Sequence, residues 1–374
     1  MKTKKDNNFK TGGTTQSDNI FQRKIDHLKI SIEHDIQFTE NYFDDIKLLH
    51  YSAPEINFNE VDLSAKFFTK EVSAPICITA ITGGPLLSKE INKTLAKAAE
   101  EEQIIMSVGS QRVGLIDNET LESFAIVRDV APNIPIIGNL GVGQISDPNF
   151  NLDEFQECIQ MIKADAMAIH FNALHELVQD KGDISYKNFI QNFSLIRERF
   201  KIPIIAKEVG TGFNFDFALN IDKLGFDGFD IGGAGGTNFT AIEQKRQINN
   251  TKDYTRNLNE TFREWGIPTP VSITYVRNVS KKPIIATGGL RNGIDIAKSI
   301  ALGADFGGFA HKFLLTAWED LKEHRITKTL KEIRTLMNEL RSALWLMNLS
   351  NLKQLKLNKE KYIIFGKLYQ WLNQ

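Results

Sequence analysis

The chain has 374 residues, with 45 basic against 46 acidic side chains, 42% hydrophobic residues, 26 Gly and 2 Cys. A chain of this size buries a core without staples, and its composition excludes a disordered chain, a collagen-like chain and a disulfide scaffold. The net charge of −1 sets up no global field toward nucleic acid, and Cys77 and Cys158 show no zinc-site spacing.

Residues 1–20 are polar and are expected to form a flexible arm, with no signal-peptide run. No stretch reaches the roughly 20 apolar residues of a membrane span. The expected location is therefore cytoplasmic. The segment Arg23-Lys24-Ile25-Asp26-His27 follows. It reads either as a solvated stretch or as a clamp that folds over a binding site and grips a phosphate.

Short apolar runs then alternate with amphipathic stretches. The runs are 75–81, 104–108, 134–140, 166–171, 203–209, 228–232, 283–287 and 306–310. Being apolar on both faces, they suit a buried parallel sheet. Between them, Leu87, Ile91, Leu95 and Ala98 share one helical face, as do Phe189, Phe193 and Ile196. Asp153 and Gln156 are expected to form a capping box. Eight such units predict an α/β fold, a (β/α)8 TIM barrel. Strand count alone also admits an open doubly wound sheet. The first run, however, ends in Thr82-Gly83-Gly84-Pro85, without the G-x-G-x-x-G spacing of a dinucleotide-binding sheet.

The long interval between 232 and 283 is expected to serve as a lid or wall of the site. From about Glu319 the pattern changes. Leu330, Ile333, Leu336, Met337, Leu340 and Leu344 recur at helical spacing and predict a C-terminal helical extension, packed on the barrel or on a neighbouring subunit. Beyond Asn351 the tail is basic, with Lys353, Lys356, Lys359, Lys361 and Lys367 against Glu360, and reads as a solvated face. The expected organisation is an arm over 1–20 and a single barrel domain over 21–374, extended from about 319.

Barrel chemistry sits where strands run into βα loops. Those positions hold Thr79-Ala80-Ile81-Thr82, Ser110-Gln111-Arg112, Asn139, His170-Phe171-Asn172-Ala173-Leu174-His175-Glu176, Lys207-Glu208, Gly235-Gly236-Thr237 and Gly288-Gly289-Leu290-Arg291-Asn292-Gly293. The last of these leads into a helix whose N–H groups are expected to face a bound anion, with Ala310-His311 as a second edge. The alternative is a tight glycine turn without a ligand. Lys207 needs an anionic neighbour, either Glu208 or a cofactor that gathers negative charge, such as a reduced flavin. Glu176 is a candidate Mg²⁺ ligand acting through a ligand's phosphate.

Taken in order, these motifs resemble the type 2 isopentenyl-diphosphate delta-isomerases, from about Arg23 to at least His311. Glu243, Arg246 and Trp265-Gly266-Ile267-Pro268-Thr269 belong to the same set. The resemblance implies an FMN-dependent barrel that interconverts isopentenyl and dimethylallyl diphosphate, a step of isoprenoid biosynthesis. NADPH would serve only to reduce the flavin, Mg²⁺ would assist, and the assembly would be a homotetramer or larger. It implies FMN contacts from Thr79, Ala80, Ile81, Thr82, Ser110, Asn139, Lys207, Thr237, Gly289, Arg291, Ala310 and His311. It implies diphosphate and substrate contacts from Arg23, Lys24, His27, Ser110, Gln111, Arg112, His170, Asn172 and His175, with Glu176 on the metal. His175 and Lys207 are the expected catalytic residues.

One position departs from the family pattern His-x-Asn-x-x-Gln-Glu, because His175 stands where the Gln would be. A titratable imidazole there could replace the amide, add acid–base capacity, or mark a changed substrate. Two other readings stay open: a flavin barrel oxidoreductase, and a flavin- or phosphate-binding protein that has lost catalysis.

Overall fold

The computed structural model describes residues 16–116, 118–180, 182–246 and 258–373. The eight apolar runs form the strands β1 (Ile76–Ile78), β2 (Ile105–Ser107), β3 (Ile136–Gly141), β4 (Ala166–Phe171), β5 (Ile204–Glu208), β6 (Gly228–Asp230), β7 (Ile284–Ala286) and β8 (Phe306–Phe309). They pair in parallel and close into a barrel, with Ile76 of β1 opposite Gly307 of β8. Closure excludes the open sheet. Several strands are shorter than their apolar runs. Thr79 to Thr82, for instance, leave the ladder after β1 and become lining of the cleft above it.

The barrel interior is filled by Cys77, Ile105, Ile137, Ala166, Ala168, Ile205, Ile285 and Phe306. Its lower end is plugged by a hairpin, Ala65–Phe67 paired with Lys70–Val72. Phe67 stands edge-on to Phe306, with ring centroids 5.4 Å apart. A larger apolar layer joins the strands to the surrounding helices. Ile91, Leu95 and Ala98 of helix Leu86–Glu102 are buried in it, as are Phe189, Phe193 and Ile196 of helix Phe189–Arg199. Both stripes follow from the 3.6-residue period.

The chain ends close over this frame. Helix Gln16–Glu33 begins inside the stretch expected to be a flexible arm, so the boundary expected at residue 20 falls within a helix. Residues 1–15 lie outside the described residues. After that helix, Phe38 N donates to Gly236 O and Asn238 N donates to Ile36 O, which ties the N-terminal segment to the loop after β6. The C-terminal helix Thr327–Leu346 buries Leu330, Ile333, Leu336, Leu340 and Leu344 against helices Gly293–Leu302 and His311–Glu323. The latter helix runs through the boundary expected near 319. The tail strand Tyr362–Ile364 pairs antiparallel with Ile46–Leu48.

One expectation needs correction. Helix Leu152–Ile162 is capped by Asn151, whose side chain accepts from Asp153 N, and not by Asp153. The first backbone N–H groups need an acceptor just before the helix, and Asn151 occupies that place. On the basic tail Lys353, Lys359 and Lys367 are exposed, and Lys356 pairs with Asp305 and Lys367 with Glu40 at the surface. Part of the long interval, 247–257, lies outside the described residues. No helix among the described residues is long and apolar enough to cross a membrane.

Candidate active site

A cleft of about 910 Å³ opens at the C-terminal ends of the strands. Its floor and walls come from loops after every strand, with Arg23 to Leu28 of the N-terminal helix forming one side. The interval after β6 supplies Thr237 and Phe239 to the wall, as expected of it.

Lys207 stands one residue before the end of β5 and Asp230 ends β6, and the two are partners in the strand register. Their charged atoms lie 2.9 Å apart, with both side chains buried. Asp230 also accepts from the Thr287 hydroxyl. The anionic partner that Lys207 needs is therefore Asp230. Glu208 offers Lys207 only its backbone carbonyl, at 3.3 Å. The Glu208 carboxylate accepts instead from Thr211 and Gly212. Burial pushes the Glu208 carboxyl up to about 7 against those hydrogen bonds.

At the opposite wall the loops after β6 and β7 touch through glycine backbone. A Cβ on Gly236 would sit 2.3 Å from Gly289 N, and Gly289 has φ +83°. Asn41 Nδ2 donates to Gly289 O at 2.5 Å and braces the same turn. The helix expected to receive an anion here is already capped. Asn292 accepts from Asp295 N, and Gly293 N donates to Glu339. The next helix, His311–Glu323, has no side-chain cap on its first turn, and Ala310, His311 and Lys312 line the cleft. The start of the helix after β8 thus faces the cleft uncapped, beside the Gly288–Arg291 turn after β7. Arg291 stands beside it, paired with Asp44 and Asp295. His311 is fixed by Ser31 O at 2.8 Å and faces Gln37 at 3.3 Å. A glycine cradle, an uncapped helix start and a buried lysine on the floor fit a flavin phosphate and its ring.

The other side of the cleft is cationic. Burial pulls Arg23 below its ordinary value, against Glu176 and Glu243 nearby. Lys24 donates to Gly83 O at 2.8 Å and Ser110 O at 3.1 Å. Burial, with Arg23 adjacent, brings its ammonium down to about 7. Arg112 pairs with Asp183 at 2.9 Å. Glu176 accepts from Asn172 at 2.7 Å, Gln179 at 3.1 Å and Asp183 N at 2.8 Å. His170 Nδ1 lies 2.8 Å from Asn139 Oδ1. Asn139 Nδ2 donates to Val108 O, so its oxygen faces the ring and Nδ1 carries the proton. Burial, then the charge of Lys207, pushes the His170 imidazole down to about 3.

His27 and His175 meet at one carboxylate. Glu243 Oε1 lies 2.6 Å from His27 Nε2 and 3.5 Å from His175 Nε2, while Arg246 holds Oε2 at 2.9 Å. Burial opposes ionisation of Glu243, but the two imidazoles outweigh it and hold the carboxyl well below its usual range. His175 stacks on Phe239, with centroids 4.5 Å apart.

Of the residues singled out in the sequence, Thr79, Ala80, Ile81, Thr82, Ser110, Asn139, Thr237, Gly289, Arg291, Ala310 and His311 all line the cleft. So do Arg23, Lys24, His27, Arg112, His170, Asn172, His175, Glu176 and Lys207. Gln111 does not. It is fully buried, donating to Cys158 O and accepting from Asn139 N. It sets the position of Asn139 rather than reaching a ligand. Asp230 and Asp183 were not singled out. An acid in the middle of the apolar run 228–232 was a readable signal for Asp230, whereas nothing local marks Asp183.

The sequence profile of the FMN-dependent dehydrogenases matches residues 156–361. The isopentenyl-diphosphate delta-isomerase of Thermococcus kodakarensis is 38% identical over 359 residues, covering 94% of this chain and 93% of its own. That of Archaeoglobus fulgidus is 36% identical over 352 residues, covering 94% and 98%. The flavin-binding domain of baker's yeast flavocytochrome b2 superposes with a TM-score of 0.65 at 14% identity, over 94% of this chain and 88% of that one. A mandelate oxidase variant bound to (S)-mandelic acid gives 0.61 at 11% identity, over 94% and 98%. At such identities these two share the fold alone. With more than a third of its residues identical along nearly its full length, the chain belongs to the isopentenyl-diphosphate delta-isomerase family, built on the barrel of the FMN-dependent dehydrogenases.

Proposed function

We propose that the protein interconverts isopentenyl and dimethylallyl diphosphate with reduced FMN as an acid–base cofactor. The observation that carries this reading is the match along 94% of the chain to relatives bearing that isomerase name. The composition of the cleft agrees, with a glycine and helix edge on one side and a cationic mouth on the other.

Moving an isolated double bond adds a proton at one carbon and removes another two carbons away, through a tertiary carbocation. Bound reduced FMN would supply an electron-rich surface and a proton-transfer group with no net redox change. Lys207, fixed on Asp230, would supply positive charge to the reduced flavin. Arg23 and Arg112 would hold the diphosphate, and Glu176 would supply a carboxylate to Mg²⁺. His175 holds or moves a proton at Nε2, at the end of the cleft where His27 and Glu243 lie. Phe239 and the walls exclude water from the hydrocarbon end. NADPH reduces the flavin beforehand, and the protein works in the cytoplasm as a homotetramer or larger.

The test is to purify the protein, record its visible spectrum, and incubate it without oxygen with isopentenyl diphosphate, Mg²⁺ and NADPH. A flavin spectrum and dimethylallyl product are expected. Bound, reduced FMN without product would overturn the reading.

A further inference from the structure

Two imidazoles and a carboxylate converge on one point at the rim of the cleft, outside the Glu176 group. The ligating atoms of His27, His175 and Glu243 all lie within 4.8 Å of one another. His175 Nε2 is buried and makes no hydrogen bond. A buried ring nitrogen left in this state implies an absent partner.

We propose that His27, His175 and Glu243 bind a transition-metal ion of the zinc type. Zinc takes imidazole and carboxylate ligands at about 2.0–2.2 Å, which sets ligand atoms roughly 3.4 Å apart in a tetrahedron. The separation of 3.5 Å between His175 Nε2 and Glu243 Oε1 already meets that edge. The 2.6 Å contact of His27 must open by less than an ångström, as entry of an ion between the two atoms requires. Arg246 holds the other carboxylate oxygen through two nitrogens at 2.9 Å, and so fixes Oε1 toward the rings. Phe239 stacks on His175 and fixes that ring. Both histidines line the cleft, which leaves the fourth position to water.

The neighbouring cations Arg23 and Arg246 repel a loosely held ion. Two nitrogen ligands select against magnesium, which prefers oxygen, and favour zinc. Coordination would tie together three separate helices, Gln16–Glu33, Ala173–Val178 and Phe239–Arg246. It would fasten the N-terminal helix over the mouth. The site depends on His175, since the Gln of the family pattern offers no imidazole. A zinc ion on His175 Nε2 excludes the proton that the isomerase reading places there, so the loaded and the working forms are separate, and zinc uptake is read without turnover.

The test is calorimetric titration of the FMN-loaded protein with zinc chloride in excess Mg²⁺, with thermal unfolding followed in parallel. One equivalent of zinc is expected to bind and to raise the unfolding midpoint. His175→Gln should weaken binding by about 100-fold and remove the thermal shift. Cobalt(II) gives a second readout that needs no variant. Tetrahedral coordination adds absorption at wavelengths beyond the flavin bands, and zinc should abolish it. Absence of zinc uptake by the parent, equal uptake by His175→Gln, or octahedral cobalt would each overturn the proposal.

Discussion

Lys207 Nζ lies 2.9 Å from Asp230 Oδ2, across the register of β5 and β6, with both side chains more than nine-tenths buried. A buried ion pair of this kind is not a large net stabiliser, but breaking it strands a charge. Lys207→Met is expected to cost about 3–5 kcal/mol of stability, because Asp230 then keeps only the Thr287 hydroxyl. Adding Asp230→Asn should return most of that loss in denaturant unfolding. It should not return isomerase activity, because no cation then faces the flavin. Recovery of activity in the double variant would remove Lys207 from the chemistry.

The contact between Gly236 and Gly289 yields a second prediction. An added Cβ on Gly236 meets backbone atoms at 2.3–3.1 Å, which no rotamer change relieves. Gly236→Ala should therefore push apart the loops after β6 and β7. If the flavin phosphate rests on that wall, as proposed, the expected result is a protein purified with little FMN but folded, by circular dichroism. Retention of full flavin content would show that the phosphate lies elsewhere.

The barrel was legible because eight runs apolar on both faces leave few alternatives, and closure settled the one that remained. The rim was legible for the same reason, since the loops directly after such runs border the cleft. Gln111 misled because a rim position does not fix a side chain's direction. The turn Gln111–Leu115 carries it down toward Cys158 instead. The bond from Gly293 N to Glu339 was not legible, because that carboxylate comes from the distant tail helix. Likewise, His27 and Glu243 meet across more than 200 residues of chain, and no local pattern predicts that contact.

His170 gives a pH prediction with a definite sign. Its imidazole is held down to about 3 in the folded protein by burial and the charge of Lys207, against 6.5 in an unfolded chain. Between those values the unfolded chain binds the extra proton, so acid favours unfolding. The stabilising difference is complete above pH 6.5 and is lost as the pH falls toward 3. His170→Asn should flatten that part of the stability curve, measured by urea midpoints at pH 7, 5 and 4. Parallel curves for parent and variant would show that His170 does not titrate in this way.

Arg112 separates binding from stability. Its pair with Asp183 is about one-third exposed on both sides, and pairs of that kind contribute roughly 0–1 kcal/mol. Arg112→Ala should therefore leave the unfolding midpoint nearly unchanged. A diphosphate held by the guanidinium would lose charge-assisted hydrogen bonds of about 1.5–3 kcal/mol, which is about 10- to 150-fold in affinity. The expected outcome is a KM raised by that order with kcat within a few-fold. Arg112→Lys keeps the charge but not the two-pronged geometry, so it should fall between the two. Asp183 also donates its backbone N–H to Glu176 at 2.8 Å, so the two sides of the diphosphate site share this residue. An unchanged KM in Arg112→Ala would remove the arginine from substrate binding and leave Arg23 as the diphosphate's main cation.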